Sequence, residues 1–358
     1  MPSSVFAALP GYEIPTNAIA ASLDAMWTRL ASEGKPSPAH DNAKATQVNL
    51  VLHLGFGTTP DDGLHQFQTA VRFSRRHPSR VVVLCPMPLD DTTTGEIHAK
   101  INGECTIGKT TGDTRCCEFV MLTYPMSARR HLESQVSICL STDLPLYYWV
   151  HRFKDATRLA DYQHLFLNSQ RVIFDSAVLP ESFKTHPWPR PETMRDLACA
   201  RLLPVRQTIG QFLSACPPAA LIENLAAIRV AHDPAHAAEA AALLAWARDR
   251  LAACGLREPI PATIKVARTS LSAPPDAPPD ARTGMPMPPP AAAPALSLDF
   301  DYNAAATPNR FHWHCLIDPK TSAGISRIDA SLCHGPIKMD TPLAFPAPES
   351  ALAEAMFF

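Results

Sequence analysis

A chain of 358 residues with 46% hydrophobic residues is long enough for two domains with separate cores. Its formal net charge of -2 gives no general attraction for nucleic acid. It has no run of about 18 apolar residues that would indicate a membrane span, and its first residues lack the basic start and apolar core of a signal peptide. We therefore expect a cytoplasmic protein. The ten cysteines do not show the regular spacing of a disulfide framework, and this favours reduced, buried thiols.

The first half of the chain alternates apolar runs with helical patterns. In chain order, the predicted elements are a helix ending near residue 32, a strand over 48–54, a helix over 61–76, strands over 80–84, 96–101 and 116–124, a helix over 127–140, and strands over 144–150 and 171–174. The strand over 80–84 is nearly all apolar, which is typical of a central strand covered on both faces. We expect an N-terminal helix and linker over 1–45, then an α/β domain over 46–186 with a mixed sheet flanked by helices.

Beyond a proline-rich joint at 185–191, the pattern changes to helices followed by strands. The predicted elements are helices over 192–215, 221–228 (which also has strand character) and 235–253, and strands over 260–267, 295–302, 311–317 and 325–333. The Pro/Ala-rich segment 273–294 has little core-forming power and predicts a flexible insertion. We expect a C-terminal α+β domain over 187–358, with helices followed by a mostly antiparallel sheet.

Residues 53–57 read His-Leu-Gly-Phe-Gly and follow a predicted strand, like the start of a dinucleotide-binding loop. However, Pro60 occupies the third glycine position, and no lysine follows for a phosphate loop. Thr59 as a helix cap, with Asp61 and Asp62 in the first turn, explains the segment structurally. Two carboxylates there would also repel a phosphate. We therefore predict no nucleotide cofactor.

The best metal candidate in the sequence is a group of histidines and cysteines near the end of the chain, made of His312, His314, Cys315, Cys333 and His334. In a strand, His312 and His314 share one face while Cys315 points to the other, so only part of the group can join one site. Paired cysteines at CxxC spacing are absent from the sequence. An exposed or half-buried sheet surface explains the same residues, and metal binding stays open.

A basic group follows the helix over 61–76 and is made of Arg72, Arg75, Arg76, His77 and Arg80. These side chains could bind an anionic partner. They are equally well explained as a solvated helix end, where the dipole favours cations, followed by the entry to a strand. The sequence does not separate the two interpretations.

Polar residues flank two predicted neighbouring strands: Asp143 precedes one, and His151, Arg152, Asp175 and Ser176 follow. Ligands of open α/β sheets bind at the carboxyl ends of strands, where the last four residues are expected. As a catalytic set these residues lack a nucleophile with a paired base. The remaining interpretations are contact with an anion or a protein, and simple capping of loops.

An ordered set of segments runs along the chain: Asn49-Leu-Val-Leu, Arg76-His-Pro-Ser-Arg80, Cys116-Cys-Glu118, Asp143-Leu-Pro145 followed by Trp149, Arg171-Val-Ile-Phe-Asp-Ser176, a helix over 196–206 and a helix over 243–251. In order and approximate spacing, this set resembles the glucose-6-phosphate dehydrogenase assembly protein (OpcA) family over about residues 14–267. The chain departs from the family pattern at 147–150, where paired tryptophans are common, and in its Pro/Ala-rich insertion.

The resemblance implies a non-catalytic subunit that binds glucose-6-phosphate dehydrogenase and promotes its assembly or activation. We assign no catalytic residue, no cofactor and no metal ligand from the sequence. Such a subunit would support the oxidative pentose phosphate pathway. The alternative is a sensor of an anionic metabolite, or an enzyme, that uses the strand ends near His151 and Ser176. We expect the partner to contact arginines, aromatic residues and a histidine on segments adjacent in the sheet, namely Arg75, Arg76, Arg80, Tyr147, Trp149, His151 and Arg152.

Overall fold

The computed structural model describes residues 3–35, 43–44, 46–87, 96–107, 114–267, 294–303, 305, 308–317 and 323–358. The predicted Pro/Ala-rich insertion at 273–294 lies outside these residues, except for Pro294. The chain divides into two compact units, Met1–Ala200 together with Ala347–Phe358, and Arg201–Pro346. Among the described helices, none is long and apolar enough to cross a membrane.

The first unit is built on a mixed sheet that contains nine strands within the described residues. They are β1 (Tyr12–Ile14), β2 (Ala43–Lys44), β3 (Val48–Leu54), β4 (Ser79–Pro86), β5 (His98–Ile107), β6 (Thr114–Tyr124), β7 (Leu146–His151), β8 (Ser169–Phe174) and β9 (Met194–Asp196). Their order is β1-β5-β6-β4-β3-β7-β8-β9, with β2 beside β6. Neighbours from β6 to β9 are parallel, whereas β5 and β1 extend the sheet antiparallel.

Helices cover both faces of this sheet. They are α1 (Ser4–Ala8), α2 (Ile19–Ser32), α3 (Pro60–Ser74), α4 (Arg129–Cys139), α5 (Gln163–Asn168), α6 (Ser182–Thr185), α7 (Leu197–Arg201) and, from the end of the chain, α11 (Pro348–Phe357). Side chains of α2, α4 and α5 form one core with one face of the sheet, and those of α1, α3 and α11 form a second core with the other face. Every residue of β3 is buried, because successive side chains enter opposite cores. The expected α/β class is confirmed.

The second unit places helices on one face of a six-stranded sheet. Its strands are β10 (Leu225–His232), β11 (Ala262–Val266), β12 (Leu296–Tyr302), β13 (Arg310–Ile317), β14 (Ala323–Leu332) and β15 (Gly335–Ala344), and its helices are α8 (Leu203–Leu213), α9 (Pro218–Ile222) and α10 (Ala237–Ala253). The order is β11-β10-β12-β13-β14-β15, and all described pairs except β10 with β11 are antiparallel. The expected α+β arrangement is therefore present.

The prediction of a single helix over 192–215 is wrong for the first part of that range. Strand β9 forms there because it pairs with β8, and Asp196 then accepts hydrogen bonds from the backbone N–H groups of Ser176 and Ala198. Pro204 lies at the start of α8, where its missing N–H costs no helical hydrogen bond. Tertiary pairing thus overrides the local helical pattern.

The compact units differ from the expected domain bounds in two places. Residues 187–200 belong with the first unit, since β9 extends the first sheet. Helix α11 also belongs there, and it buries Leu352 and Met356 in the core beside α3. The sequence pattern after residue 333 gave no expectation of β15 or α11.

Four of the ten cysteines form disulfides, which corrects the expectation of reduced thiols. Cys105 and Cys116 are bonded at directly paired positions of β5 and β6, and Cys216 is bonded to Cys333. Opposed side chains of an antiparallel pair lie about 4.5 to 5.5 Å apart at Cβ, which brings two cysteines within reach of a bond. The sequence spacing could not reveal this, because strand register is not visible in it.

Candidate functional site

The carboxyl edge of the first sheet has a topological switch point between β3 and β7. From β3 the sheet continues to β4 on one side and to β7 on the other, and all three strands are parallel. In open α/β sheets the crevice outside such a point is the usual place for a ligand. The residues that follow these two strands are the loop 55–58 after β3 and Arg152 after β7.

Asp62 is the charged centre of this edge. Its Oδ2 lies 2.8 Å from Nε2 of His151 and accepts a 2.6 Å hydrogen bond from Nε of Arg152. Burial opposes its ionisation, but the hydrogen bonds from His151 and Gln66 and the charge of Arg152 together hold the pKa of Asp62 below its usual value. Burial also lowers the pKa of His151, against the opposing effect of Asp62. A neutral imidazole therefore donates to a carboxylate whose charge is balanced by Arg152.

The chain's own backbone fills the crevice at the switch point. The backbone N–H groups of Gly55 and Gly57 donate to the carbonyl oxygens of His151 and Arg152, respectively. A Cβ atom on Gly55 would lie 2.4 Å from the carbonyl oxygen of Arg152, so only glycine permits this approach. Arg152 itself has a positive φ of 51°, a conformation that bulky residues seldom adopt. Gly55 and Gly57 thus allow the loop after β3 to pack closely against the loop after β7. This agrees with the prediction that residues 53–57 are not a nucleotide-binding loop.

Asp175 and Ser176, the other two residues predicted at this edge, are used in loop capping. The Asp175 carboxylate accepts a hydrogen bond from the backbone of Ala177 at 2.9 Å. The backbone N–H of Ser176 donates to Asp196 at 3.1 Å. Burial raises the pKa of Asp196. These contacts build the turn after β8.

The predicted basic residues lie at the opposite, amino edge of the parallel strands. Arg75 and Arg76 follow the last turn of α3, and both are exposed. Arg115, near the start of β6, donates to their carbonyl oxygens, which fixes the backbone of this turn. Arg75 lies 3.6 Å from Glu104, and Arg76 donates a 3.2 Å hydrogen bond to Ser350 of α11. We call Arg75, Arg76 and Arg115 the amino-edge arginines.

Arg80 is held more firmly than the amino-edge arginines. Its Nε and Nη2 atoms both contact one carboxylate oxygen, Oε2 of Glu118, at 2.7 and 2.6 Å, respectively. The other oxygen of Glu118 accepts a 2.9 Å hydrogen bond from the indole of Trp27. Arg80 therefore ties β4 to β6 and α2 within the first unit.

The structure corrects the expectation that Tyr147 and Trp149 are exposed. Only 4% of Tyr147 and 2% of Trp149 is accessible, because both enter the core beside α3 and α11. Tyr147 keeps its hydroxyl at the rim, where it donates to Gln170 at 2.9 Å, and its ring contacts Phe357. Neither aromatic ring is available to a partner on this surface.

The predicted contact residues do not form one cluster. Tyr147 stands at the amino end of β7 and His151 at its carboxyl end, and four steps along a strand span about 13 Å. Arg75, Arg76 and Arg80 belong to the amino edge, whereas Arg152 belongs to the carboxyl edge. His151 is also buried, with 3% exposure. One flat partner surface at one edge cannot contact all seven.

A cleft of about 700 Å³ also opens at the amino edge of β3, β7 and β8. Asn49 reaches across one side, where its amide donates to the carbonyl oxygens of Ser141 and Leu144. Arg190 lines the other side and donates to the carbonyl oxygens of Leu167 and Ser169. The amide of Asn49 and the guanidinium of Arg190 are thus already bound to backbone carbonyls.

Sequence reasoning missed a buried polar network around His53. Nδ1 of His53 lies 2.5 Å from the hydroxyl of Tyr148, and its Nε2 lies 2.7 Å from the hydroxyl of Tyr124. The Tyr124 hydroxyl in turn lies 2.7 Å from the hydroxyl of Tyr162. Burial lowers the pKa of His53 to about 3 and raises that of Tyr162 to about 12. The one available indication was a histidine inside a mostly apolar strand. The ring is neutral and fully enclosed, which indicates a role in specifying the core.

The predicted metal group separates into three places within the second unit. Cys315 is fully buried on the helix-covered face, and Cys333 is bonded to Cys216 beside His334, so no thiolate is available there. His312 and His314 share the open face of the sheet. The hydrogen bond that His312 donates to Asp299 raises the pKa of His312, and burial lowers that of His314.

Of the comparisons with known proteins, the match to a protein family concerns the first unit. Among solved structures, an oxidoreductase from Thermotoga maritima is 9% identical, with 86% of each chain covered, at a TM-score of 0.31, which is too low to support an argument. No curated protein matches the chain. Residues 70–186, from α3 to the segment after β8, match the family described as glucose-6-phosphate dehydrogenase subunit N-terminal domain. The resemblance expected from the sequence over about residues 14–267 is thereby confirmed for residues 70–186, which match the N-terminal domain of this family.

Proposed function

We propose that this chain is a cytoplasmic, non-catalytic subunit that binds glucose-6-phosphate dehydrogenase and promotes its assembly or activity, in support of the oxidative pentose phosphate pathway. The family match over residues 70–186 is the observation that carries this proposal. The filled switch point supports the non-catalytic part, since the backbone of Arg152 occupies the crevice where related sheets hold ligands. The same packing weighs against the alternative of an anion sensor near His151 and Ser176.

We further propose that the partner docks at the amino-edge arginines. Arg75 and Arg76 are exposed side chains within the matched segment, and the Arg75 side chain is 53% accessible. Their backbone is fixed by Arg115, so docking there would require little ordering of the main chain. Arginine is among the residue types that most often dominate binding energy at interfaces. An acidic surface on the dehydrogenase is the expected complement.

The test is capture and stimulation of the dehydrogenase from the same source by the purified full chain. We expect wild type to bind the enzyme and raise its activity at limiting concentration. The double variant Arg75→Glu/Arg76→Glu should bind about thirtyfold more weakly, which corresponds to about 2 kcal/mol. Arg158→Glu is the matched control, because Arg158 is an exposed arginine in the same segment, on the 3-10 helix after the carboxyl end of β7.

The two proposals fail in different ways. If wild type neither binds nor stimulates the dehydrogenase, the proposed function is wrong. If wild type binds but the double variant binds equally well, the function stands and the docking surface lies elsewhere. Thermal melting should change little in the double variant, because substitutions of exposed residues usually alter stability by less than about 0.5 kcal/mol.

A further inference from the structure

The open face of the second sheet carries two histidines whose ring nitrogens meet. His312 and His314 are two residues apart on β13, so their side chains leave the same face. Nε2 of His312 lies 3.0 Å from Nδ1 of His314, and the ring centroids are 5.0 Å apart. Both rings are partly exposed, and solvent can therefore reach the gap between them.

A carboxylate fixes which nitrogen of His312 faces its neighbour. Asp299 is directly paired with His312 across β12 and β13, and its Oδ1 accepts a hydrogen bond from Nδ1 of His312. The proton is thereby held on Nδ1, and Nε2 presents a lone pair toward His314. Histidines that bind metals almost always donate their other ring N–H to a carboxylate or carbonyl in this way.

The spacing of the two nitrogens fits a shared metal ion. With zinc–nitrogen bonds of about 2.0 to 2.1 Å, two ligands at a tetrahedral angle stand about 3.3 Å apart. The observed 3.0 Å is close to that value, so a shift of a few tenths of an ångström would admit the ion. Two further coordination positions would be filled by water.

Charges around the pair are balanced and leave no net repulsion toward a cation, since Arg310 and Lys338 pair with Asp329, and Arg229 pairs with Asp301. His312 is flanked in register by Asp299 on β12 and Asp329 on β14. The nearest arginine in register with His314 is Arg327, and Asp340 holds its guanidinium through two hydrogen bonds of 2.8 Å. That pairing balances the positive charge of Arg327 with a carboxylate.

We propose that His312 and His314 form a binding site for a divalent transition-metal ion of the class that prefers imidazole, with Zn²⁺ as the test ion. Asp299 serves as the positioning residue that orients His312. Imidazole ligands suit Zn²⁺, Cu²⁺ and Ni²⁺. The site lies outside residues 70–186 and does not depend on the function proposed above.

Calorimetric titration of the tag-free full chain with ZnCl₂ at pH 7.5 tests the site. We expect saturable binding in wild type, and at least a tenfold loss of affinity in His312→Ala and in His314→Ala. His334→Ala is the matched control, since His334 is an exposed histidine of the same unit beside the Cys216–Cys333 disulfide. It should bind Zn²⁺ as wild type does.

Asp299→Asn tests the positioning role while both ligands remain. We expect about a tenfold loss of affinity, as is common when a partner of a ligating histidine is changed. With Cu²⁺ as the probe, electron paramagnetic resonance should report two imidazole nitrogens in wild type and one in either single histidine variant. Circular dichroism would verify that each variant is folded.

Three results would overturn the proposal. One is a wild-type chain that takes up no Zn²⁺ at 100 µM. Another is equal affinity in wild type, His312→Ala and His314→Ala. The third is loss of binding in His334→Ala with full binding in both other variants, which would move the site to the neighbourhood of the disulfide.

Discussion

Acidification should destabilise the first unit through His53. Burial holds the pKa of this ring at about 3 in the folded chain, whereas an unfolded histidine has its ordinary pKa of about 6.5. Between these values the unfolded chain binds a proton that the folded chain does not. The stability that comes from the neutral ring is therefore fully present above pH 6.5 and is lost progressively as the pH falls toward 3.

The size of the effect follows from the distance between the two pKa values. At pH 4.5, two units below the unfolded pKa, the loss from this ring is about 2.7 kcal/mol, since each unit contributes about 1.36 kcal/mol. His53→Gln removes the titration. That variant should be less stable than wild type at pH 7.5, because the network with Tyr124 and Tyr148 is broken, but its stability should fall less on acidification. His151, whose pKa is also lowered, contributes equally to both proteins.

Urea unfolding at pH 7.5 and 4.5, followed by tryptophan fluorescence, measures the difference between the two proteins. The histidine ring can also be observed directly by NMR of the chain labelled with ¹³C-histidine, with the His53 signal assigned by its loss in His53→Gln. We expect this signal not to titrate between pH 8 and 5. A midpoint near 6 to 6.5, or an equal loss of stability in the two proteins, would refute the reasoning.

Two further predictions concern close contacts. Gly55→Ala should lower the free energy of unfolding by about 1 to 3 kcal/mol, because its Cβ would overlap the carbonyl oxygen of Arg152. Gly210→Ala, a helical site with open space around it, should instead be neutral or stabilising by up to about 1 kcal/mol, and equal effects in urea titrations would contradict this account. Lys100→Met should cost about 1 to 3 kcal/mol, since the Lys100 ammonium donates to the carbonyl oxygens of Phe6, Ala7 and Leu9 at the end of α1. Unchanged protection of α1 from hydrogen exchange in that variant would show that the contact is dispensable.

Much of the fold is visible in the sequence where one strong pattern dominates. The run over 80–84 predicts a central strand because its residues enter apolar cores on both faces. The end of α3 is also predictable, since charged residues and Pro78 follow its last buried positions. The break before α8 is not predictable, because β9 exists only through its pairing with β8.

The candidate sites were harder to predict, since they depend on which residues meet in space. Arg76 and Arg152 look equivalent in the sequence, yet they lie at opposite edges of the sheet. Alternation along β7 requires Tyr147 and Tyr148 to face opposite sides, but it does not say that helices bury both. The pair His312 and His314 was visible from spacing, whereas the carboxylate of Asp299 was not.

The membership of α11 in the first unit has a consequence for biosynthesis. Leu352 and Met356 complete a core that otherwise consists of residues before position 201. At about 5 to 20 residues per second, translation of residues 201–346 takes roughly 7 to 30 s. During that interval the nascent first unit presents an uncovered apolar face on the side of α3. Chaperones that recognise such surfaces on ribosome-bound chains would therefore have a defined period in which to act on this protein.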